Sequence, residues 1–297
     1  MGSVRVGISG WRYAPWRGVF YPKGLPQRSE LEYASSVLST VEINGSFYSL
    51  QRPSSYQQWR AETPEDFVFS VKGGRFITHM KKLAGVETAV ANFFASGVLA
   101  LGDKLGPILW QLPPNLGYDP DRLAAFFAQL PRTTMQAAHL AEGHDERLTD
   151  RSWTVTDADR PIRHALEVRH SSYEKAEFVE LLRAHDIGLV VADTAGKWPF
   201  IEDVTSDLVY VRLHGSEELY VSGYDEASLD RWAEKIRHWV AGQDAPGART
   251  LGAPVTPRPE GRDVFVYFDN DVKVRAPFDA MSLAAKLGSS PTVAAAT

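Results

Sequence analysis

The sequence predicts an α/β fold, a single (β/α)8 TIM barrel, and three observations carry that expectation. Eight short apolar runs of strand type are spread along the chain, segments with helical spacing separate them, and 297 residues are enough for one barrel. Strands that alternate with helices form a parallel sheet, because each return to the same end of the sheet needs a crossover.

The strand runs are VRVGIS from Val4, TVEIN from Thr40, FVFSVK from Phe67 and PILWQL from Pro107, then HALEVR from His164, IGLVVAD from Ile187, LVYVRLH from Leu208 and DVFVYF from Asp263. Among the helices, Val90, Phe93, Phe94, Val98 and Leu101 give the longest apolar stripe. Asp119 before Pro120 reads as an N-cap with proline in the first turn, ahead of Leu123, Phe126, Phe127 and Leu130. Ser171 with Glu174 fits a capping box before Phe178, Leu181 and Leu182. Asp225 opens a run whose Leu229, Trp232, Ala233, Ile236 and Val240 share a face. Two stretches exceed a minimal barrel. Between strands 4 and 5, residues 132–163 are long and polar and read as an excursion or flap over one end. Before strand 8, residues 241–262 are rich in Gly, Pro and Ala and read as a loose insertion. The expected domain is 1–288, with a disordered tail over 289–297.

Composition narrows the function classes. A net charge of -5 disfavours a non-specific nucleic-acid binder, and the lack of cysteine removes thiolate ligands and a Cys nucleophile. No signal peptide or apolar span is visible, so a cytoplasmic protein without membrane contact is expected. There is no GxSxG, GxxxxGK[ST] or GxGxxG motif. KGGR, with Gly73 and Gly74, suits either a ligand approach or a tight turn.

The stretch Thr40 to Tyr48, TVEINGSFY, sets the site. Side chains alternate along a strand, so Val41 and Ile43 face helices while Glu42 and Asn44 face the enclosed interior, where a carboxylate needs partners. The same parity turns inward Arg5, Gly7 and Ser9; Ser70 and Lys72; Leu109 and Gln111; Ala165, Glu167 and Arg169; Val191 and Asp193; Tyr210, Arg212 and His214; and Phe265, Tyr267 and Asp269. Nearly every strand ends on a polar group at the end where barrel enzymes hold their sites. Glu42, Glu167 and His214 are the acid/base candidates. Trp11, Asn44, Lys72, Arg75, Gln111, Arg169, Asp193, Arg212, Tyr267 and Asn270 are the substrate-binding candidates, the cations suiting a phosphate or carboxylate. The mouth charges can also simply pair among themselves. Trp59, Trp232 and Trp239 read as core, whereas Trp11, Phe47, Tyr48 and Tyr224 can reach the mouth.

The motif blocks GISGWRYAPWRGVFYP, TVEINGSFY, TPEDFVFSVKGGRFITH, PILWQLPPN, ALEVRH, YVRLHG and FDND run in order through the chain. They resemble the domain of unknown function 72 family, the YecE-like proteins. The resemblance implies the barrel and no particular reaction. Asp269, Val274 and Asp279 depart from the family's FNND, glycine and NA positions, which puts a ligand contact at Asp269 in doubt, and Tyr173 replaces a common tryptophan.

Three functions follow as expectations. The first is an enzyme, of hydrolase or isomerase/lyase type, that acts on a small anionic substrate by general acid/base chemistry. The second is a metal-dependent phosphodiesterase or isomerase, including one on nucleic-acid ends, although no motif implies a cofactor. The third is a non-catalytic anion- or nucleic-acid-binding protein. The oligomeric state is left open.

Overall fold

The computed structural model describes residues 2–289. Eight parallel strands close a barrel in chain order: β1 (Val4–Ser9), β2 (Thr40–Ile43), β3 (Val68–Lys72), β4 (Leu105–Gln111), β5 (His164–Glu167), β6 (Gly188–Asp193), β7 (Leu208–Leu213) and β8 (Asp263–Phe268). Pairing from Val4↔Val264 to Ile8↔Phe268 joins the last strand to the first. No helix among the described residues is long and apolar enough to cross a membrane.

Around the barrel lie α1 (Glu30–Val37), α2 (Gly45–Tyr48), α3 (Pro53–Ala61), α4 (Glu87–Ala95), α5 (Pro120–Gln129), α6 (Thr134–Ala141), α7 (Ala176–Ala184), α8 (Glu226–Val240) and α9 (Ala276–Leu287). The caps expected for α5 and α8 form, with Asp119 accepting from the Arg122 N–H at 3.0 Å and Asp225 from that of Ser228 at 2.8 Å. The Ser171 capping box does not. Ser171–Tyr173 is a separate 3-10 turn capped by His170, and α7 starts only at Ala176. The stripe from Val90 to Leu101 is likewise broken. Gly97 has φ 116°, and a 3-10 run follows it.

Both irregular stretches are ordered by specific contacts. The 132–163 excursion contributes α6, and Trp153 donates its backbone N–H to Ala95 O at 2.8 Å. The Arg132 guanidinium reaches His185 O and Asp186 O beyond the C-terminus of α7, so the excursion lies against the helix layer, away from the strands' C-terminal ends. The 241–262 segment is pinned, not loose. Between β6 and β7 the described chain forms no helix, and the segment covers that gap in the outer layer. The backbone N–H groups of Leu251 and Gly252 donate to buried Asp203, and that of Arg249 donates to buried Glu202. Of the expected tail, Ser289 closes the C-terminal end of α9, its backbone N–H donating to Ala284 O past the left-handed Gly288, and 290–297 lie outside the described residues.

Two apolar cores result. The larger fills the space between barrel and helices, while Leu109, Ala165, Val190, Ala192, Leu208, Tyr210, Phe265 and Tyr267 fill the barrel itself. Gly73 lies between them for a packing reason. A Cβ there would stand 2.2 Å from the ring of Trp110, which is fully buried. Gly73→Ala is therefore expected to lower stability by about 1–3 kcal/mol, as overpacked cores do. Gly74→Ala, with its nearest neighbour at 3.8 Å, is expected to change little. Thermal melts of the two variants check the contrast, and equal melting temperatures would refute it.

Candidate functional site

The C-terminal ends of the strands hold a charge network centred on Arg212, at the end of β7. Its guanidinium donates to Glu42 (Nε to Oε2, 3.1 Å; Nη2 to Oε1, 2.9 Å), Glu167 (Nη1 to Oε2, 2.7 Å), Asp269 (Nη2 to Oδ2, 2.9 Å) and Ser9 Oγ (3.0 Å). Three carboxylates on β2, β5 and the end of β8 thus converge on one cation. They hold the Arg212 charge permanently, against the burial that opposes it.

Both glutamates are saturated. Glu42 also accepts from Ser9 Oγ at 2.5 Å and Tyr210 OH at 2.6 Å. Glu167 also accepts from Gln111 Nε2, 3.0 Å from both oxygens, and from Arg169 Nε at 2.8 Å. Burial opposes the Glu167 charge, but Arg169 and Arg212 outweigh it and keep its carboxyl well below the usual range. Neither glutamate has a free lone pair turned to the mouth, and both are completely buried. His214 is engaged as well. Nε2 lies 3.3 Å from Arg212 Nη1, which can only donate, so Nε2 is the bare nitrogen and Nδ1 carries the proton. Nδ1 stands 3.0 Å from Asp269 Oδ2, outside hydrogen-bond alignment. The three expected acid/base groups are thus brought together around Arg212.

The substrate-binding candidates divide. Lys72, Arg75, Gln111 and Arg169 cluster on one side of the mouth, and Trp11 and Asn44 border its other side. Arg212 lies in the centre, wholly occupied. Tyr267 sits a layer deeper, its OH 2.8 Å from Thr40 Oγ1 and its ring 5.0 Å from that of Tyr210, out of a ligand's reach. Asn270 points away from the mouth, bracing Asp279 at 2.9 Å and Ser222 O at 3.0 Å. Asp193 also faces outward, because Val190 and Ala192 are the inner residues of β6. It accepts from Tyr224 OH at 3.1 Å beside Arg231 and Lys235 of α8.

On the cationic side, Lys72 Nζ forms no ion pair or hydrogen bond among the described residues. It stands 4.6 Å above the Phe47 ring, and burial lowers its pKa to about 8. Arg75 is exposed at the rim and likewise unpaired. The Arg169 guanidinium lies 3.8 Å over the Trp198 ring, a cation–π contact that fixes its position. Burial, then the charges of Arg169, Lys72 and Arg75, push His79 down to about 4, so it is neutral amid a positive field.

Opposite them is Asp271, which the sequence reading passed over. Burial and the neighbouring Asp269 push its carboxyl up to about 8, whereas Arg212 is the chief attraction that holds Asp269 low against burial. The pair carries one proton near neutrality. Asp271 Oδ1 is buried without a partner. Strand parity gives no guide to it, because β8 ends at Phe268 and Asp271 opens the turn that follows.

Beside the mouth opens a cleft of about 270 Å³, lined by Gly10, Trp11, Tyr13, Asn44, Tyr48 and Trp59 among others. Trp11 and Trp59 meet edge to face at 5.3 Å. Trp59, expected as core, is buried in the outer core and also borders this cleft. Among the described residues, no three His, Asp or Glu side chains are arranged to hold a metal ion.

The fold and site together define a parallel (β/α)8 barrel whose mouth is knitted around a buried arginine. The chain belongs to the family described as Protein of unknown function DUF72, whose model matches residues 5–297. It is 26% identical to the UPF0759 protein YecE of Escherichia coli K12 over 248 residues, 80% of this chain and 82% of that protein. It is 30% identical to the UPF0759 protein YunF of Bacillus subtilis over 116 residues, 37% of this chain and 40% of that protein, so this match spans less than half of the relative. Its fold is similar to that of a DUF72 family protein from Thermotoga maritima (TM-score 0.71, 24% identity, 96% of this chain and 99% of that one). A second, from Enterococcus faecalis, gives a TM-score of 0.67 at 18% identity, covering 96% and 95%.

Proposed function

We propose that the barrel mouth is the active site of an enzyme acting on a small anionic substrate that bears a phosphate or carboxylate. The observation that carries this reading is an asymmetry. Arg212 and its carboxylates satisfy one another completely, while Lys72 and Arg75 stay unpaired beside Arg169. Cations left unpaired at the mouth favour an anion, and each charge-assisted hydrogen bond to it contributes roughly 1.5–3 kcal/mol. Asp271, protonated at neutral pH, is the proton donor, and ionised Asp269 keeps it so. This acid/base pair suits hydrolase or isomerase/lyase chemistry. The metal-dependent alternative gains no support, because a guanidinium stands where the carboxylates converge.

A thermal titration with inorganic phosphate tests the anion pocket. Ligand at about 100 times its Kd adds roughly 2.7 kcal/mol, a rise of several degrees in Tm. The rise is expected to shrink in Lys72→Met and Arg169→Ala, and to fade as pH passes about 8, where Lys72 loses its proton and Asp271 gains charge. Phosphate is also expected to raise the His79 pKa from about 4 by offsetting the three cations around it, readable by NMR. A full rise in both variants, or an unmoved His79, would remove the assignment.

A further inference from the structure

Among the described residues the fold buries two lysines, Lys72 and Lys104, and treats their amines differently. Lys104 Nζ donates to Arg60 O and Thr63 O, each at 2.7 Å, and to Thr63 Oγ1 at 3.1 Å, so all three of its protons are placed. Lys72 Nζ places none, although Glu42 and Glu167 are among the charges that act on it. Arg212, Gln111 and Arg169 occupy those carboxylates instead. An ammonium kept only for structure would be paired as that of Lys104 is.

Lys72 is nevertheless held firmly. It ends β3, where Ser46 Oγ donates to its carbonyl at 2.7 Å and the N–H of Gly73 donates to Leu109 O at 2.8 Å. Its amine lies over the Phe47 ring and stays open to solvent. Only 8% of the residue is exposed, yet Nζ is not among the atoms that the fold both seals in and leaves unpartnered. Burial and then Arg212 favour the neutral amine, against the pull of Glu42, Glu167 and Asp269, and lower its pKa to about 8. At pH 7 about a tenth of Lys72 is then free amine, roughly 300 times the fraction of an ordinary lysine. A desolvated amine beside another cation is an activated nucleophile. Arg75 and Arg169, whose charges are permanent, remain to hold an anion when Lys72 is neutral.

We infer that Lys72 is a covalent catalyst, whose Nζ forms an imine with a small anion that carries an aldehyde or ketone group, as a 2-oxo acid does. The inference rests on the anion-binding reading above and narrows it to lyase or isomerase chemistry on carbonyl compounds. The Nζ lone pair forms the C–N bond, and the carbonyl oxygen leaves as water. Of the two protons that this oxygen takes, one comes from Nζ and one from Asp271, whose neighbour Asp269 also acts on Lys72. The resulting cationic imine is an electron sink for the bonds next to the former carbonyl carbon.

Reductive trapping tests it. The purified protein is incubated at pH 7 with sodium cyanoborohydride and either pyruvate or acetone, which has the ketone without the charge, and the modified lysines are mapped by peptide mass spectrometry. Pyruvate is expected to label Lys72 at least about tenfold faster than any other lysine, and to leave Lys104 unlabelled. Acetone, which gains nothing from the arginines, is expected to label Lys72 at least about tenfold more slowly than pyruvate does. Arg169→Ala is expected to slow labelling by pyruvate several-fold and to affect acetone much less. Thermal melts with phosphate and with pyruvate are followed in parallel. If either anion raises Tm but Lys72 reacts no faster than the surface lysines, the imine fails and the anion pocket stands. If acetone labels Lys72 as fast as pyruvate does, the anionic carbonyl compound is the wrong substrate class. If neither anion raises Tm and Lys72 stays unlabelled, both readings fall.

Discussion

Arg212→Met is expected to give the largest loss of stability of any single change at the mouth, with Tm falling by roughly 10 °C or more. The cause lies in what the substitution leaves behind. Glu42 and Glu167 are completely buried, Asp269 is partly exposed, and one guanidinium pairs with all three. Removing one partner of a buried ionic group costs about 3–5 kcal/mol, and each kcal/mol shifts Tm by about 2–4 °C in a chain approaching this size. Neutralising the orphaned partners should restore part of the loss, so Glu42→Gln combined with Arg212→Met is expected to melt above Arg212→Met alone. Thermal unfolding of the two variants decides it. A single variant within 2 °C of the native protein would mean that water reaches the network and that Arg212 does not organise the mouth.

Asp271→Asn is expected to act in the opposite direction, and only above acid pH. The Asp271 carboxyl is raised from its ordinary value near 3.8 to about 8 in the folded protein. Below pH 4 both folded and unfolded chains hold the proton, and the group has no differential effect. Between about pH 4 and 8 the unfolded chain releases it and the folded chain does not, so the native protein loses stability as pH rises; above 8 the loss is complete. Asparagine carries no such charge. The Tm of Asp271→Asn minus that of the native protein should therefore grow from pH 4 to pH 8 and then level off, reaching several degrees. A flat difference across that range would show that Asp271 ionises normally, and would end its candidacy as proton donor. Such a result would leave the anion pocket untouched, because Lys72, Arg75 and Arg169 do not depend on it.

The barrel was legible because its signals are local and repeated. Strand runs such as VRVGIS and LVYVRLH show which residues alternate, and Asp119 and Asp225 mark two helix starts that form as expected. The inward parity held where a polar residue fixed it, as at Glu42, Lys72, Glu167 and Arg212. It failed at IGLVVAD, where both faces of β6 are apolar and only the final Asp193 suggested a direction. Asn270 was misplaced for a related reason, since the chain leaves β8 within FDND and adjacent residues there face opposite ways. That the mouth charges could pair among themselves was legible as one alternative, and Glu167 does pair with both Arg169 and Arg212, but which cations would remain free was not. Arg212 and Arg169 look alike in sequence. Only the closed barrel places one at the axis within reach of three carboxylates and the other against Trp198.

The missing helix between β6 and β7 has a consequence for how the chain becomes a barrel. The wall over that gap is supplied by residues 241–262, which leave the ribosome after β7 and α8. Until they arrive, the Asp203 carboxylate lacks the backbone N–H groups of Leu251 and Gly252, and the first four fifths of the chain present an unfinished flank. A fragment ending at residue 240, which also lacks β8, should be prone to association through that flank and through the open edges of β1 and β7, and co-translational folding should finish only when the last fifth of the polypeptide has been added.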